Sequence, residues 1–487
     1  MSRSPLIKQA FHPKSDDFFQ IFRSFALKME AHGMPAIVIN VFKYYFDQLL
    51  SGYQGKLSEH DIEPIADEDI EHYEKLEEYR EVGQDAMDML AIVKLNGGSG
   101  TSMGLTKAKS LLPVRRGQTF LDIIVRQVEA MRERNGTTVP LLFMNSFSTH
   151  TDTMLALGDF DNGETRIPLA FLQHKFPKVL QKDYSPATWP QNPELEWNPP
   201  GHGDIFQAMV TSGVLQKLLK GGFKYAFISN SDNLGAVMDE RILGYMVEKD
   251  LSFVMEVARR THADRKGGHL ARSRNDGRLV LREIAQCPED EIEDFQDIER
   301  YSFFNTNSIW VDLQVLEKVF VYHGMMPLDI IVNKKHLDPR DETSPEVYQI
   351  ERAMGSAIAS FRDAAALEVP RARFAPVKTT NDILDVMSDN YIISDRFNVV
   401  PNPARTLPPI RIDLDPVYFK KIDEFQTRFP VGPPSLIECE SLKVRGDVVF
   451  AGQMPLRGHV EIVNETSRQV LVTAEMLERA DYHVRIE

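Results

Sequence analysis

Residues 89–110 read MLAIVKLNGGSGTSMGLTKAKS, a short apolar run that breaks into four glycines and ends with two lysines. Ala91, Ile92 and Val93 suit a buried strand, and a helix-like segment follows at 121–132. Gly97, Gly98, Gly100 and Gly104 tolerate positive φ and carry no Cβ, so successive backbone N–H groups can close around an anion. Lys107 and Lys109 bring positive charge to the exit of the loop. The pattern is that of a phosphate-holding loop at the end of a strand. It is neither of the two common ones: no Gly-Lys-Ser/Thr follows at the Walker spacing, and Met103 occupies the third glycine of a dinucleotide fingerprint.

Outward from this loop, apolar runs alternate with helical ones from about Leu90 onward. AIVKL, PLLFMNS, LAFLQH, YAFISNS, LSFVMEVA and SIWVDL read as strands, several apolar on both faces, as in a covered, largely parallel sheet. Helical patterns intervene at 121–132 and 204–219. Before the sheet, 16–31 and 38–50 carry apolar residues at three- and four-residue spacing and predict helices. The acidic stretch 59–81 predicts a solvated helical face and a connecting loop. The Pro-rich segment 184–200 excludes long regular elements, and further prolines at 401–409 and 430–434 mark boundaries. Residues 442–463, with Gly446, Gly452 and Gly458 six apart, suit either a few rungs of parallel β-helix or a β-meander.

At 487 residues the chain is long enough for two or three domains. A net charge of −15 argues against general nucleic-acid binding, though not against a nucleotide substrate. Cys287 and Cys439 lie far apart, and neither belongs to a CxxC pair, so a zinc site is not expected. No apolar run reaches the roughly 20 residues of a membrane span, and the N-terminus lacks a signal peptide's apolar core. The expected location is cytoplasmic, with no nucleic-acid or membrane partner.

The wording of the loop is more specific than its glycine count. LNGGSGTSMG followed by Lys109-Ser110 closely resembles the nucleotide loop of eukaryotic-type UTP–glucose-1-phosphate uridylyltransferases. Seven more blocks match in order: PLLFMNSFST (140–149), PPGHGDIF (199–206), FISNSDNLGA (227–236), HADRKGG (262–268), REIAQ (282–286), FFNTNSIW (303–310) and PVKTTNDIL (376–384). The resemblance implies an α/β fold: a Rossmann-like, GT-A-like nucleotidyltransferase mixed sheet flanked by helices. It also implies a helical N-terminal region (1–85), a catalytic domain (86–395), and a linker with a small C-terminal parallel β-helix (396–487). The implied reaction joins UTP and glucose 1-phosphate to give UDP-glucose and pyrophosphate, with Mg²⁺ as cofactor. A homo-oligomer through the C-terminal region is left open.

That chemistry needs no general base, because the attacking sugar phosphate is already an anion. The barrier is electrostatic, so the equipment should be a phosphate cradle, lysines and an acidic metal ligand. Asp232 ends an apolar run, where ligands gather in open parallel sheets, and a carboxylate suits Mg²⁺, so it is the metal candidate. The resemblance assigns the nucleotide to Leu95, Asn96, Gly97, Gly98, Gly100, Thr101, Lys109, Gln173, Gly201 and Asp232, with Gln173 reading the uracil edge. It assigns the sugar phosphate to His202, Asn230, Gly268, Glu283, Asn305, Asn307 and Lys378. Lys109, Lys266 and Lys378 take the catalytic roles.

The loop departs from the family at Ser99, usually leucine, and at Lys107-Ala108, often Gly-Pro. Ser231 likewise stands where an apolar residue is usual. Enzymes that use N-acetylglucosamine 1-phosphate typically carry alanine in place of Asn96, so LNGG and FNTN favour glucose. A non-catalytic relative is disfavoured because Lys109 and Asp232 are both present. A dehydrogenase is disfavoured because the dinucleotide fingerprint is missing.

Overall fold

The computed structural model describes residues 16–487, apart from 54, 99, 101, 102, 106 and 116 and the side chains of 16 and 17. Its centre is a mixed sheet whose spine runs, edge to edge, Glu71–His72, Ala364–Glu368, Phe253–Arg259, Phe303–Asp312, Tyr225–Asn230, Leu90–Asn96, Leu141–Asn145 and Ala170–Leu172. Five neighbouring pairs are parallel. Phe303–Asp312 alone runs antiparallel to both of its neighbours, which makes the sheet mixed. Ile62–Glu63, His269–Ser273 and Leu279–Arg282 extend it on one side.

Every residue of Leu90–Asn96 is buried. Its alternation sends Ile92 into one apolar core, packed under the Phe120–Asn135 helix, and Ala91, Val93 and Leu95 into the other, packed under Asp204–Thr211 and Val214–Lys220. Coverage on both faces explains why the strands read as continuous apolar runs. The helical pattern at 204–219 is two helices, not one, because Gly213 takes φ +73° between them. An L-residue rarely holds that conformation, so the glycine breaks the helix there.

Helices Asp16–Ala31 and Ala36–Leu50 pack through Phe25, Phe42 and Phe46 onto Phe176 and Trp197. The Pro-rich segment docks against this unit: Trp197–Asn198 pairs with Phe176–Pro177, and Lys28 bonds to Glu196 and to the carbonyl of Ala187. The acidic stretch takes its expected form in part: 3₁₀ and α-helical turns run through Tyr73–Tyr79 and Arg80–Asp85 with Glu74, Glu77, Glu78 and Glu81 exposed. Its first half also supplies two short strands, Ile62–Glu63 and Glu71–His72, and Glu59 holds the fully buried Arg282 together with Arg300. A buried guanidinium needs a carboxylate beside it, so tertiary pairing took Glu59 out of the solvated set.

Toward the C-terminus, Arg411–Leu414, Ser435–Arg445, Pro455–Asn464 and His483–Ile486 form a parallel ladder, and Val448–Phe450 pairs in parallel with Val470–Val472. The register sets Leu442 beside Val460, 18 residues on, and Ile462 beside Val484, 22 residues on, and the parallel pairing excludes a meander. Gly446 turns the chain at φ +82°, and Gly458 sits at a register shift.

Candidate active site

Where Leu90–Asn96 ends, its side chains and loop become a scaffold. The Asn96 amide donates to Asn145 Oδ1 (2.8 Å) and Thr153 Oγ1 (2.9 Å), and its oxygen accepts from Ser231 Oγ (3.1 Å). Asn96 thus joins three strand ends, with both amide hydrogens donated and its oxygen accepting once. Leu95 packs into the apolar core and accepts from the Ser231 N–H through its carbonyl. The loop closes when Lys109 N–H donates to the Gly98 carbonyl. Gly100 and Gly104 take φ +62° and +75°. A Cβ at Gly97 would fall 2.7 Å from Gln173 Nε2, which places the proposed uracil reader directly against the loop. Thr101 and Ser99 lie outside the described residues, and Lys107 is exposed.

Lys109 reaches across to Asp232, Nζ to Oδ2 at 2.6 Å, and also donates to the Val377 carbonyl. The other carboxylate oxygen, Oδ1, is buried without a partner among the described residues. Among the described residues no group of three His, Cys, Asp or Glu side chains could hold a metal by itself. Asp232 therefore fits a hard cation that takes its remaining ligands from phosphate oxygens and water.

The loop carrying Asp232 is fixed from several sides. Lys94 donates to Ser229 Oγ and to the Ala236 carbonyl, one on each side of it. The Asn233 amide donates to the Arg373 carbonyl and accepts from Ala375 N–H, while Val377 N–H donates to the Asp232 carbonyl. These bonds stitch segment 373–377 to the loop and deliver Lys378 next to it.

Lys378 opens onto a cleft of about 510 Å³ that also receives Asn230, Lys266, Gly268, Glu283, Asn305 and Asn307. Seven residues drawn from five separate sequence blocks thus meet in one space. A Cβ at Gly268 would lie 2.6 Å from the Glu283 carboxylate, so only glycine leaves room for it. Burial raises the Glu283 pKa, and nearby Lys378 opposes that. Asn305 and Asn307 fix each other through two hydrogen bonds of 3.0 and 2.9 Å. The cleft also takes Asp264, Arg371, Phe374, Asp385 and Tyr391, which the sequence reading did not single out. Of these, Asp264 lies inside the matched block HADRKGG and Asp385 directly follows PVKTTNDIL, the sequence signals that pointed to them.

Gly201 and His202 stand outside that wall, in the turn before Asp204–Thr211. Gly201 has φ +77°, and a Cβ there would come within 2.4 Å of the Arg352 carbonyl oxygen. His202 Nδ1 accepts from Met354 N–H at 3.0 Å, and burial lowers its pKa to about 4. The ring is thus neutral near pH 7, with its proton on Nε2 as a donor. Behind the turn, buried Asp204 accepts from His174 N–H and Arg352, 2.7 and 2.8 Å away. Burial favours a higher Asp204 pKa, but the charges of His174 and Arg352 outweigh it and hold the carboxyl below its usual range. Asp204 belongs to the matched block PPGHGDIF, but its pairing with His174 and Arg352 became visible only in the fold.

The chain is similar to known proteins over most of its length. The family model described as UTP–glucose-1-phosphate uridylyltransferase matches residues 39–457. A UTP–glucose-1-phosphate uridylyltransferase of Musa acuminata is 41% identical over 418 residues, covering 85% of this chain and 87% of that protein. A probable one of Schizosaccharomyces pombe is 35% identical, covering 96% and 87%. Among solved structures, the UDP-glucose pyrophosphorylase of Leishmania major superposes with a TM-score of 0.84 at 38% identity, covering 93% of this chain and 97% of that one. The UDP-glucose phosphorylase of Trypanosoma brucei gives 0.84 at 39%, with the same coverage. With the matched region spanning the loop, the Asp232 strand end and the cleft, the chain belongs to the UTP–glucose-1-phosphate uridylyltransferase family.

Proposed function

We propose that this protein transfers the uridylyl group of UTP to glucose 1-phosphate, giving UDP-glucose and pyrophosphate, and runs the reaction in both directions. One observation carries the reading: a glycine loop and the Lys109–Asp232 pair sit beside a cleft that collects Lys266 and Lys378 with Glu283, Asn305 and Asn307. Cations for phosphates and amide or carboxylate groups for sugar hydroxyls are what this pair of substrates requires.

A phosphate oxygen of glucose 1-phosphate bonds to the α-phosphorus of UTP as the bond from that phosphorus to the bridging oxygen breaks. Pyrophosphate leaves with the electron pair, and no proton has to move. Lys109 and the backbone N–H groups of the loop hold the triphosphate, Gln173 and Gly97 bracket the base, and Lys378 and Lys266 draw the sugar phosphate in. Glu283, Asn230 and Asn305 take hydroxyls. His202, neutral and fixed by Met354, donates from Nε2. Asp232 would hold Mg²⁺ through its unpartnered oxygen, and the ion would spread negative charge over the phosphates.

Residues 86–395 form the catalytic unit in this reading, 1–85 its helical forepart, and the parallel C-terminal strands a short β-helix. Both cysteines are free and buried, in keeping with a cytosolic enzyme.

The test is Mg²⁺-dependent pyrophosphate release from UTP with glucose 1-phosphate and N-acetylglucosamine 1-phosphate in parallel. Release with glucose 1-phosphate is expected, with kcat lowered about 10²- to 10³-fold in Lys109→Ala and Asp232→Ala. Release only with the N-acetylated sugar would overturn the sugar assignment, and none with either would overturn the reaction.

A further inference from the structure

A second cavity, of about 250 Å³, lies against the sheet face covered by the Phe120–Asn135 helix and shares no lining residue with the cleft. Its walls hold six cationic side chains, Lys94, Arg80, Arg134, Arg241, Arg373 and Arg396, against the carboxylates of Asp239 and Glu240. Three of the arginines are neutralised. Arg373 makes a bidentate pair with Glu256, which also accepts from Trp310 Nε1, while Arg241 pairs with Asp239 and Arg80 with Glu240.

The other three cations are not. Arg134 and Arg396 are exposed and have no ion pair among the described residues. Lys94 is only 3% exposed, and its hydrogen bonds go to two neutral acceptors, Ser229 Oγ and the Ala236 carbonyl. Charged groups almost never stay this buried without a countercharge. Burial and the neighbouring Arg373 push the Lys94 pKa down to about 7, with Glu256 opposing. No carboxylate bonds to Lys94 among the described residues, since Glu256 is taken by Arg373, and the cavity beside it is lined by basic groups.

We propose that this cavity is a second anion site, taking a small phosphate-type dianion between Lys94 at its floor and Arg134 and Arg396 at its mouth. Inorganic phosphate and pyrophosphate share the required chemistry. The site would speak to the active site through two hydrogen bonds, since Lys94 holds Ser229 Oγ and the Ala236 carbonyl on either side of the loop bearing Asp232.

The experiment is thermal unfolding of the full chain against inorganic phosphate and, separately, pyrophosphate, at constant ionic strength set with chloride. It is run without nucleotide on wild type, Lys109→Ala, and the double variant Arg134→Ala/Arg396→Ala. A saturable rise in Tm is expected in wild type and in Lys109→Ala, whose loop contact for phosphate is gone. In the double variant the half-saturating concentration should rise about tenfold or more, as expected for losing ~1.4 kcal/mol of binding. Tighter response to pyrophosphate assigns the site to the reaction's product, and tighter response to phosphate assigns it to the free ion. A rise lost in Lys109→Ala, unchanged in the double variant, or absent from wild type overturns the proposal. None of these outcomes depends on sugar-nucleotide synthesis, whose failure would show only in pyrophosphate release from UTP.

Discussion

At the scale of single residues, the site is governed by which groups burial keeps neutral and which it leaves charged. His202 is the clearest case: an ordinary imidazole pKa of 6.5 falls to about 4 because protein surrounds the ring. The folded value lies below the unfolded one, so between these pH values the unfolded chain binds a proton that the folded chain refuses. Stability from this group is complete above pH 6.5 and drains away as pH falls toward 4, by about 3 kcal/mol at most. His269 is lowered in the same sense by its own burial. Tm measured from pH 7 to 4.5 should therefore fall in wild type and fall less steeply in His202→Asn. Equal slopes would show that His202 does not carry this titration. Asp232, by contrast, stays useful because Lys109 occupies one oxygen and leaves the other free for a cation.

Between elements, glycine decides how close two backbones approach. The Arg80–Asp85 helix crosses Glu240–Glu248 at a point where a Cβ on Gly83 would sit 1.6 Å from the Glu240 carbonyl oxygen. Reciprocally, a Cβ on Gly244 would meet the Tyr79 carbonyl oxygen at 1.9 Å. Inside an exposed helix, Gly→Ala stabilises by about 1 kcal/mol. Here the sign reverses, because the obstacle is backbone and cannot swing aside. Gly83→Ala should lower urea-derived stability by about 2 kcal/mol or more, and a neutral or stabilised variant would show that the helices do not touch in solution. Such crossings are poorly legible in sequence, since nothing local distinguishes Gly83 from a helix-weakening accident. Gly213 was equally quiet within its helical pattern.

For the molecule as a whole, one apolar core runs from Leu76 and the Phe120–Asn135 helix through Val377 and Leu384 to Leu436, Phe450 and Val484. Polar bonds follow the same path: Asp389 accepts from Leu436 N–H, and Arg405 donates to the carbonyls of Leu436 and Cys439. With no break in the core between the sheet and the C-terminal strands, calorimetry should give one dominant unfolding endotherm. Two well-separated endotherms would mean that the C-terminal strands melt by themselves.

The strand-end blocks could be read from the chain alone because their meaning is local. A glycine's φ, a lysine a few residues beyond a loop, or an aspartate closing an apolar run is set by covalent spacing and short-range sterics. Most of the sugar cleft was named by the resemblance of those blocks to a known family, whereas periodicity by itself marked only where some of the strands end. What the fold alone decided is who pairs with whom across long separations. Glu59 finds Arg282, Asp204 finds His174 and Arg352, and Asn96 spends its amide on neighbouring strand ends. The same packing leaves buried Lys94 bonded only to neutral acceptors. Burial and ion pairing depend on what the rest of the chain brings alongside, so no window of sequence contains them.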